Sequence, residues 1–475
     1  MIKCLLILLS LLPVRSQEDL PRLQGRVDSL LQAGKSEIDI RFGPGTFFYE
    51  DGLLSLSDLE EKSISISGDG TCLVAAGEMD TYSLDRGYVD LESLEPRDVW
   101  EPIKKAGFWP LFSFRGKGIY CFPCKEPDVS PETASEEGWT IILSQWYVGA
   151  EYPVVEIKNG WLYFRKEKKQ GTRMLSELRF GRCLPRYIIC RPGRTGGLHG
   201  CEASRFLSVR DCHFRNFSIS GLTFLGNGAG GDLINLSGVS GERIAIDSCR
   251  FAGLHSRIIA SENTSGLEVS GCEFYHNYRC CIWSGYNNKD VIISGNRFIF
   301  NGLRPTNDAV VDCKGENFLV SGNYFRDFSY SAIGAGVWHA YPTTTESYGV
   351  LENNEICMSE EFRRQPSRML IDSGAIYVWT NNRSLIIRDN YIHDIAGPHG
   401  NRGILCDDGS RNVKVYHNKV LRIEGTYCID YRKPLKRIRA ADGTIIRVHE
   451  GGEVHDNEVD GRCRIHKKVL CGSSL

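Results

Sequence analysis

The sequence predicts an all-β chain wound as a solenoid, a β-helix of stacked coils. Three observations predict it. First, a short segment recurs down the second half: ISGLTF, IDSCRF, VSGCEF, ISGNRF, VSGNYF, LENNEI, IRDNYI, VYHNKV and VHDNEV. Its aligned position is Leu222, Cys249, Cys272, Asn296, Asn323, Asn354, Asn390, Asn418 and Asn457. The gaps run from 23 to 39 residues, the period of repeats that cannot bury an apolar face alone and so stack on their neighbours. Second, a column of Ile282, Ile333, Ile376, Ile404 and Ile429 precedes the asparagine column, so each coil holds two or three strands with stacked inward side chains. Third, the 475 residues include 50 glycines and only 5 methionines, with many short Val/Ile/Phe runs, as tight turns and strands require.

The elements follow in chain order. Lys3, the apolar run Cys4–Leu12 and the small residue Ser16 read as a secretory signal peptide over residues 1–16. The expectation is therefore an exported protein, secreted or held in the periplasm or at the cell surface. No later apolar stretch is long enough to span a bilayer. Residues 17–79 read as an N-terminal cap and the first coils. Leu23, Val27, Leu30 and Leu31 recur at helical spacing between Asp19 and Gly34, and a helix here would cover the open pairing edge of the solenoid. Residues 80–195 carry no ladder but are rich in Pro, Trp and charge. The Asn159-Gly160 dipeptide between apolar runs is a hairpin signal, so this stretch is expected to be a small antiparallel β subdomain inserted into the solenoid. Residues 196–465 are the main β-helix, and 466–475 a basic tail.

The asparagine column has a structural reading. A buried turn leaves backbone groups to satisfy, and stacked amides bond both to the turn and to one another. The 18 cysteines read mostly as buried thiols rather than a disulfide framework, because several fall in ladder or strand positions. Cys121 and Cys124 form a CxxC pair without a second pair, so no metal site is expected. The net charge of −2 gives no basic footprint for nucleic acid. A monomer acting on a poly- or oligosaccharide is expected, since a solenoid presents a long groove.

Candidate chemistry concentrates where the gaps are longest, because function gathers on loops held by a rigid scaffold. Aligning Ile376, Ile404 and Ile429 puts Trp379, Asp407 and Arg432 at neighbouring levels of one face. Asp372 stands at the entrance of one strand and Asp408 beside Asp407. Coils lie about 4.8 Å apart. Carboxylates one or two coils apart therefore span the roughly 5–9.5 Å used in glycoside hydrolysis. Asp372 before Ser-Gly would equally cap a turn, and Asp407-Asp408-Gly409 would equally form one. Trp338, Tyr377 and Trp379 are candidates for stacking on sugar rings, and His339, His393 and Arg432 for polar contacts to substrate.

Three motifs carry a resemblance. Asp372-x-Gly374-Ala375-Ile376-Tyr377, Asn390-Tyr391-Ile392-His393-Asp394 and Gly403-Ile404-x-x-Asp407-Asp408-Gly409-Ser410 resemble the bacterial right-handed parallel β-helix glycoside hydrolases of the pectin-lyase-like superfamily. That group includes enzymes acting on plant cell-wall fucosides and xylans. The resemblance implies a right-handed parallel β-helix and acid catalysis by Asp372 with one of Asp407 and Asp408. Cys406 and Ser373 depart from the pattern without removing a carboxylate. Two other readings stay open. A polysaccharide lyase would use Arg432, Lys433 or His339 as base and cation, with calcium as a possible cofactor; a hydrolase needs no cofactor. A surface adhesin would bind sugar without cleaving it.

Overall fold

The computed structural model describes residues 11–49, 52–75, 101–102, 113–114, 119–123, 128–136, 140–145, 148–165, 186–190, 205–227, 231–254, 256–302, 308–337, 347–363, 373–379, 382–396, 401–407, 410, 412–425, 427–432, 438–439, 445–446, 452–460 and 464–467. Among them, 31 strands form one continuous sheet that closes on itself through parallel pairing of each strand with its counterpart one coil away. The result is the β-helix that the repeat period predicts, parallel and right-handed as the resemblance implies.

The coil has three faces. The first stacks Ile234–Gly241, Ile259–Glu262, Ile282–Ser284, Val311–Cys313, Ile333–Ala335, Gly374–Val378, Arg402–Cys406, Tyr427–Tyr431 and Arg464–Lys467. Their second-face partners run from Leu11–Val14 and Glu37–Phe42 to Glu453–His455, and the third face runs to Glu458–Val459. The isoleucine column is an unbroken inward file on the first face, with Val311 as its member between Ile282 and Ile333. All of these side chains are fully buried in one core. Burying each stabilises by about 1.5–3 kcal/mol. Down the third face, Phe224, Phe251, Phe274, Phe298 and Phe325 stack at centroid spacings of 4.6–5.1 Å, close to the coil repeat.

The asparagine column is the second internal column. Asn296, Asn323, Asn354 and Asn390 each donate from Nδ2 to Oδ1 of the next asparagine at 2.9–3.0 Å. Each Oδ1 also accepts the backbone N–H of the ladder residue one coil before, as when Asn323 N–H bonds Asn354. The second Nδ2 hydrogen reaches a strand carbonyl, such as Val320 O at 2.9 Å from Asn354. Donors and acceptors at the buried turn are thus matched coil by coil, which is why the slot holds Asn once the stack has begun.

At the N-terminus Leu11–Val14 pairs in parallel with Asp39–Phe42, and Val14 is fully buried. This strand lies inside the segment read from sequence as a signal peptide. The capping helix spans Leu23–Gln32 and buries Leu23 and Val27. It is preceded by a 3-10 turn, Gln17–Arg22, that contains Pro21. The helix therefore starts later than the periodicity suggests, because proline lacks the N–H that a helix interior needs. Gly34 ends it at a positive φ of 75°, where a Cβ would strain the backbone.

Between the first and second complete coils, strands within residues 101–190 form a separate seven-stranded antiparallel sheet. Its Val148–Lys158 and Trp161–Arg165 strands turn through Asn159 and Gly160, both with positive φ as a tight hairpin demands. Nine described cysteines are free and eight of them buried, whereas Cys428 is disulfide-bonded. The last first-face strand, Arg464–Lys467, continues into the segment read as the tail. No helix among the described residues is long and apolar enough to cross a membrane.

Candidate functional site

Side chains on a strand alternate between faces, so the residues flanking the buried isoleucine file point away from the core. Register fixes two outward files on the first face. One runs Ala260, Trp283, Asp312, Gly334, Tyr377, Leu405 and Asp430. The other runs Gly285, Lys314, Gly336, Trp379, Asp407 and Arg432. Each of these six donates its backbone N–H to the previous coil at 2.8–3.0 Å. The alignment of Trp379, Asp407 and Arg432 at successive levels is therefore what the structure shows. Tyr330, Tyr377 and Leu405 form a small apolar cluster outside the main core, and Trp379 packs against it.

Asp407 follows the strand Arg402–Cys406 and is 3 % exposed. A buried carboxylate needs partners, and it has them. Tyr377 donates its hydroxyl to Oδ2 at 2.6 Å, and Arg432 donates Nη1 to Oδ1. Arg432 also donates Nε to Asp430 at 3.3 Å, and Arg402 donates to the same Asp430 oxygen at 2.9 Å. The guanidinium thus bridges two carboxylates on neighbouring coils. Behind Asp407, Ser410 donates its backbone N–H and its hydroxyl to the Asp407 carbonyl at 2.9 and 2.8 Å, which pins the turn. The backbone at Asp407 is held as firmly as its side chain.

Toward the N-terminal end of the same face lies a second charged pair. Lys314 Nζ is 2.9 Å from Asp312 Oδ2, and both side chains are largely buried. Burial pushes the Asp312 carboxyl above its usual range, and Lys314 opposes that shift. Burial is the largest influence on the Lys314 ammonium and would lower it, but the Asp312 charge and hydrogen bond, with Tyr286 and Cys280 beside it, together outweigh burial and hold the lysine above its usual value. The ammonium sits 5.6 Å from the ring centroids of Trp283, Tyr286 and Trp379. Such contacts contribute about 0.5–2 kcal/mol each. Glycine makes room for the indoles. A Cβ on Gly334 would lie 3.1 Å from the Trp379 ring, and one on Gly285 2.4 Å from Trp283. Trp379 joins the two clusters, since its ring also packs 5.1 Å from Tyr377.

The structure brings together Tyr377, Trp379, Asp407 and Arg432 from the sequence candidates. It places His393 elsewhere. His393 lies on the third face, in register between Cys357 and Leu421, so it does not share the surface of Asp407. Asp372, Asp408, Trp338, His339 and Lys433 lie outside the described residues. Sequence reading missed Trp283, Tyr286, Asp312, Lys314, Arg402 and Asp430. The signal was present for four of them: Trp283 and Asp430 directly follow Ile282 and Ile429 of the isoleucine column, and with Val311 admitted to it, Asp312 and Lys314 fall level with Tyr377 and Trp379.

Comparison with known proteins agrees on the winding. A family model described as a right-handed β-helix region matches residues 200–343. No curated protein matches the chain. Among solved structures, the chain is similar to one described as a glycoside hydrolase, with 10 % identity over 93 % of this chain and 92 % of that one and a TM-score of 0.49. It is similar to the DFA-IIIase of Arthrobacter chlorophenolicus A6 in complex with GF2, with 8 % identity over 87 % and 94 % and a TM-score of 0.33. It is also similar to the tailspike gp61 of Pseudomonas phage phi297, with 13 % identity over 84 % and 68 % and a TM-score of 0.22.

Proposed function

We propose that the chain is an exported glycoside hydrolase acting on a complex polysaccharide or its oligosaccharides. One observation carries the reading: Asp407 projects onto an outward face lined by Trp379 and Tyr377, with both oxygens held by fixed donors. Those donors suit a base or nucleophile, which works as the ionised carboxylate. Asp430 accepts from two arginines and serves to position Arg432, not as an acid. The acid's role falls to Asp372, ahead of the strand Gly374–Val378 that pairs with the strand leading into Asp407. In this scheme Asp372 protonates the glycosidic oxygen as the bond breaks. Asp407 either attacks the anomeric carbon or takes a proton from the attacking water. Trp379 supplies an apolar platform for a sugar ring.

A lyase needs a base free to take a proton beside a uronate. Arg402, Arg432 and Lys314 on this face are each ion-paired with an aspartate, which argues against that role for them. The test is product analysis on plant and host polysaccharides with wild type, Asp372→Asn and Asp407→Asn. New reducing ends without an ultraviolet-absorbing unsaturated sugar, lost in both variants, support the hydrolase. An unsaturated product moves the assignment to a lyase. Binding without any product moves it to an adhesin.

A further inference from the structure

A second cluster lies on the third face. There Glu355–Cys357 and Tyr391–Ile395 pair as neighbouring strands, with Cys357 opposite His393. A ligand atom from each of Glu355, Cys357 and His393 lies within 4.8 Å of the other two. Nε2 of His393 faces Oε1 of Glu355 at 3.4 Å. We propose that these three side chains form a zinc site that ties two adjacent coils together.

The convergence of the three ligand atoms and the orientation of the His393 ring carry the argument. Its Nδ1 is 2.6 Å from Asp394 Oδ2, a distance that requires a proton between them. Arg422 lies 3.2 Å from the same nitrogen. Were Arg422 the donor to Nδ1, two acceptors would stand 2.6 Å apart, so Nδ1 is the protonated nitrogen. With Nδ1 engaged by Asp394, Nε2 is the nitrogen turned toward the Glu355 carboxylate oxygen, with the Cys357 thiol alongside. An imidazole nitrogen, a thiol sulfur and a carboxylate oxygen thus converge, and a cation is what such a set binds once the nitrogen and sulfur are free of protons. Imidazole, thiolate and carboxylate together suit zinc, with water as the fourth ligand.

The surroundings are built to hold the ring. Asp394 has positive φ and is fixed by two bonds from Arg422 at 2.9 and 2.7 Å, with Arg363 at 3.8 Å. A carboxylate on the far nitrogen of a metal-ligating histidine sets its tautomer and raises its basicity. Tyr391 stacks on the imidazole at 4.2 Å and fixes its plane. Tyr324 OH lies 3.7 Å from Cys357 Sγ, within reach to donate to a thiolate. Binding would release the thiol proton to solvent as the sulfur–zinc bond forms. Cys357 is followed closely by the short helix Glu360–Arg363, so the ion would anchor the coil from which the chain leaves toward Ser373.

The full chain, stripped with a chelator and kept reduced, is titrated with zinc sulfate. Bound metal and the thermal midpoint are then read. One equivalent and a raised midpoint are expected. Glu355→Gln alters an exposed side chain that the core does not need, and should weaken binding at least about 10-fold; Asp394→Asn should weaken it about 10–100-fold. Cobalt in place of zinc should give a thiolate charge-transfer band that Cys357→Ser abolishes. No bound zinc in wild type overturns the proposal. So does undiminished zinc in Glu355→Gln and His393→Gln, which would place the metal on other residues such as Cys121 and Cys124. Neither result touches the hydrolase reading, because the cluster lies on a different face.

Discussion

Replacing Asn354 by alanine removes one rung from the middle of the asparagine column. The Asn354 amide takes part in four bonds. Oδ1 accepts from the backbone and the side chain of Asn323 at 3.1 and 3.0 Å. Nδ2 donates to Val320 O at 2.9 Å and to Asn390 Oδ1 at 3.0 Å. Two partners keep other bonds, because Asn323 Nδ2 still reaches Ile293 O and Asn390 Oδ1 still accepts Asn354 N–H. The Asn323 backbone N–H loses the acceptor described for it, at a site 1–2 % exposed. An orphaned buried donor costs about 1–3 kcal/mol and each of the three other lost bonds about 1 kcal/mol net, so Asn354→Ala should cost about 4–6 kcal/mol. Asn457 ends the column and is only partly buried. Water can replace its amide, and Asn457→Ala should cost about 1 kcal/mol. Urea unfolding followed by tryptophan fluorescence reads both, with the slope against urea checked for constancy. Equal losses in the two variants, or a loss under about 1 kcal/mol for Asn354→Ala, would refute the view that matched burial holds the ladder.

Three further expectations can be checked together. Gly334→Ala should shift the Trp379 ring by a few tenths of an ångström, since the new methyl would sit 3.1 Å from it; oligosaccharide binding should fall about 10-fold, read by calorimetry, with circular dichroism unchanged. Asp394 is held well below the usual carboxylate range, first by its hydrogen bond from Arg422, so its contribution is present above the unfolded value near pH 4 and is lost as pH falls below it. Stability measured from about pH 5 downward should therefore drop less steeply in Asp394→Asn than in wild type; matching slopes would remove Asp394 from the account. Removal of residues 1–16, as cleavage of the leader on export would produce, takes away the strand Leu11–Val14 and bares the edge of Glu37–Phe42, so protease cutting within residues 35–49 should be faster than in the full chain. An unchanged digest would show that the first coil stands without that strand.

Much of the fold was legible because columns are written into a solenoid at one residue per coil. The Ile376, Ile404 and Ile429 alignment sufficed to put Trp379, Asp407 and Arg432 side by side. Where a column changes residue type, it fades from view. Val311 stands in the isoleucine file, and with it went Asp312 and Lys314. Tyr377 on Asp407 and Arg402 on Asp430 were not visible as partnerships, because they join residues 30 and 28 positions apart through side-chain reach and not through pattern. His393 misled for a physical reason. It follows Asn390 closely in sequence and shares a motif with it, but the turn at the asparagine sends the following strand onto the third face. Proximity along the chain is not proximity on a face.

The corners of the coil have an evolutionary consequence. Ile259 and Ile282 are 23 residues apart, and Ile333 and Ile376 are 43 apart, yet both are direct partners in the first-face file. The extra chain leaves and returns between faces without breaking the pairing of the isoleucine file on the first. A lineage can therefore lengthen one excursion, try new contacts there, and keep every buried neighbour it had before. The shaft acts as a fixed spindle, and the excursions as parts that can be exchanged without touching it.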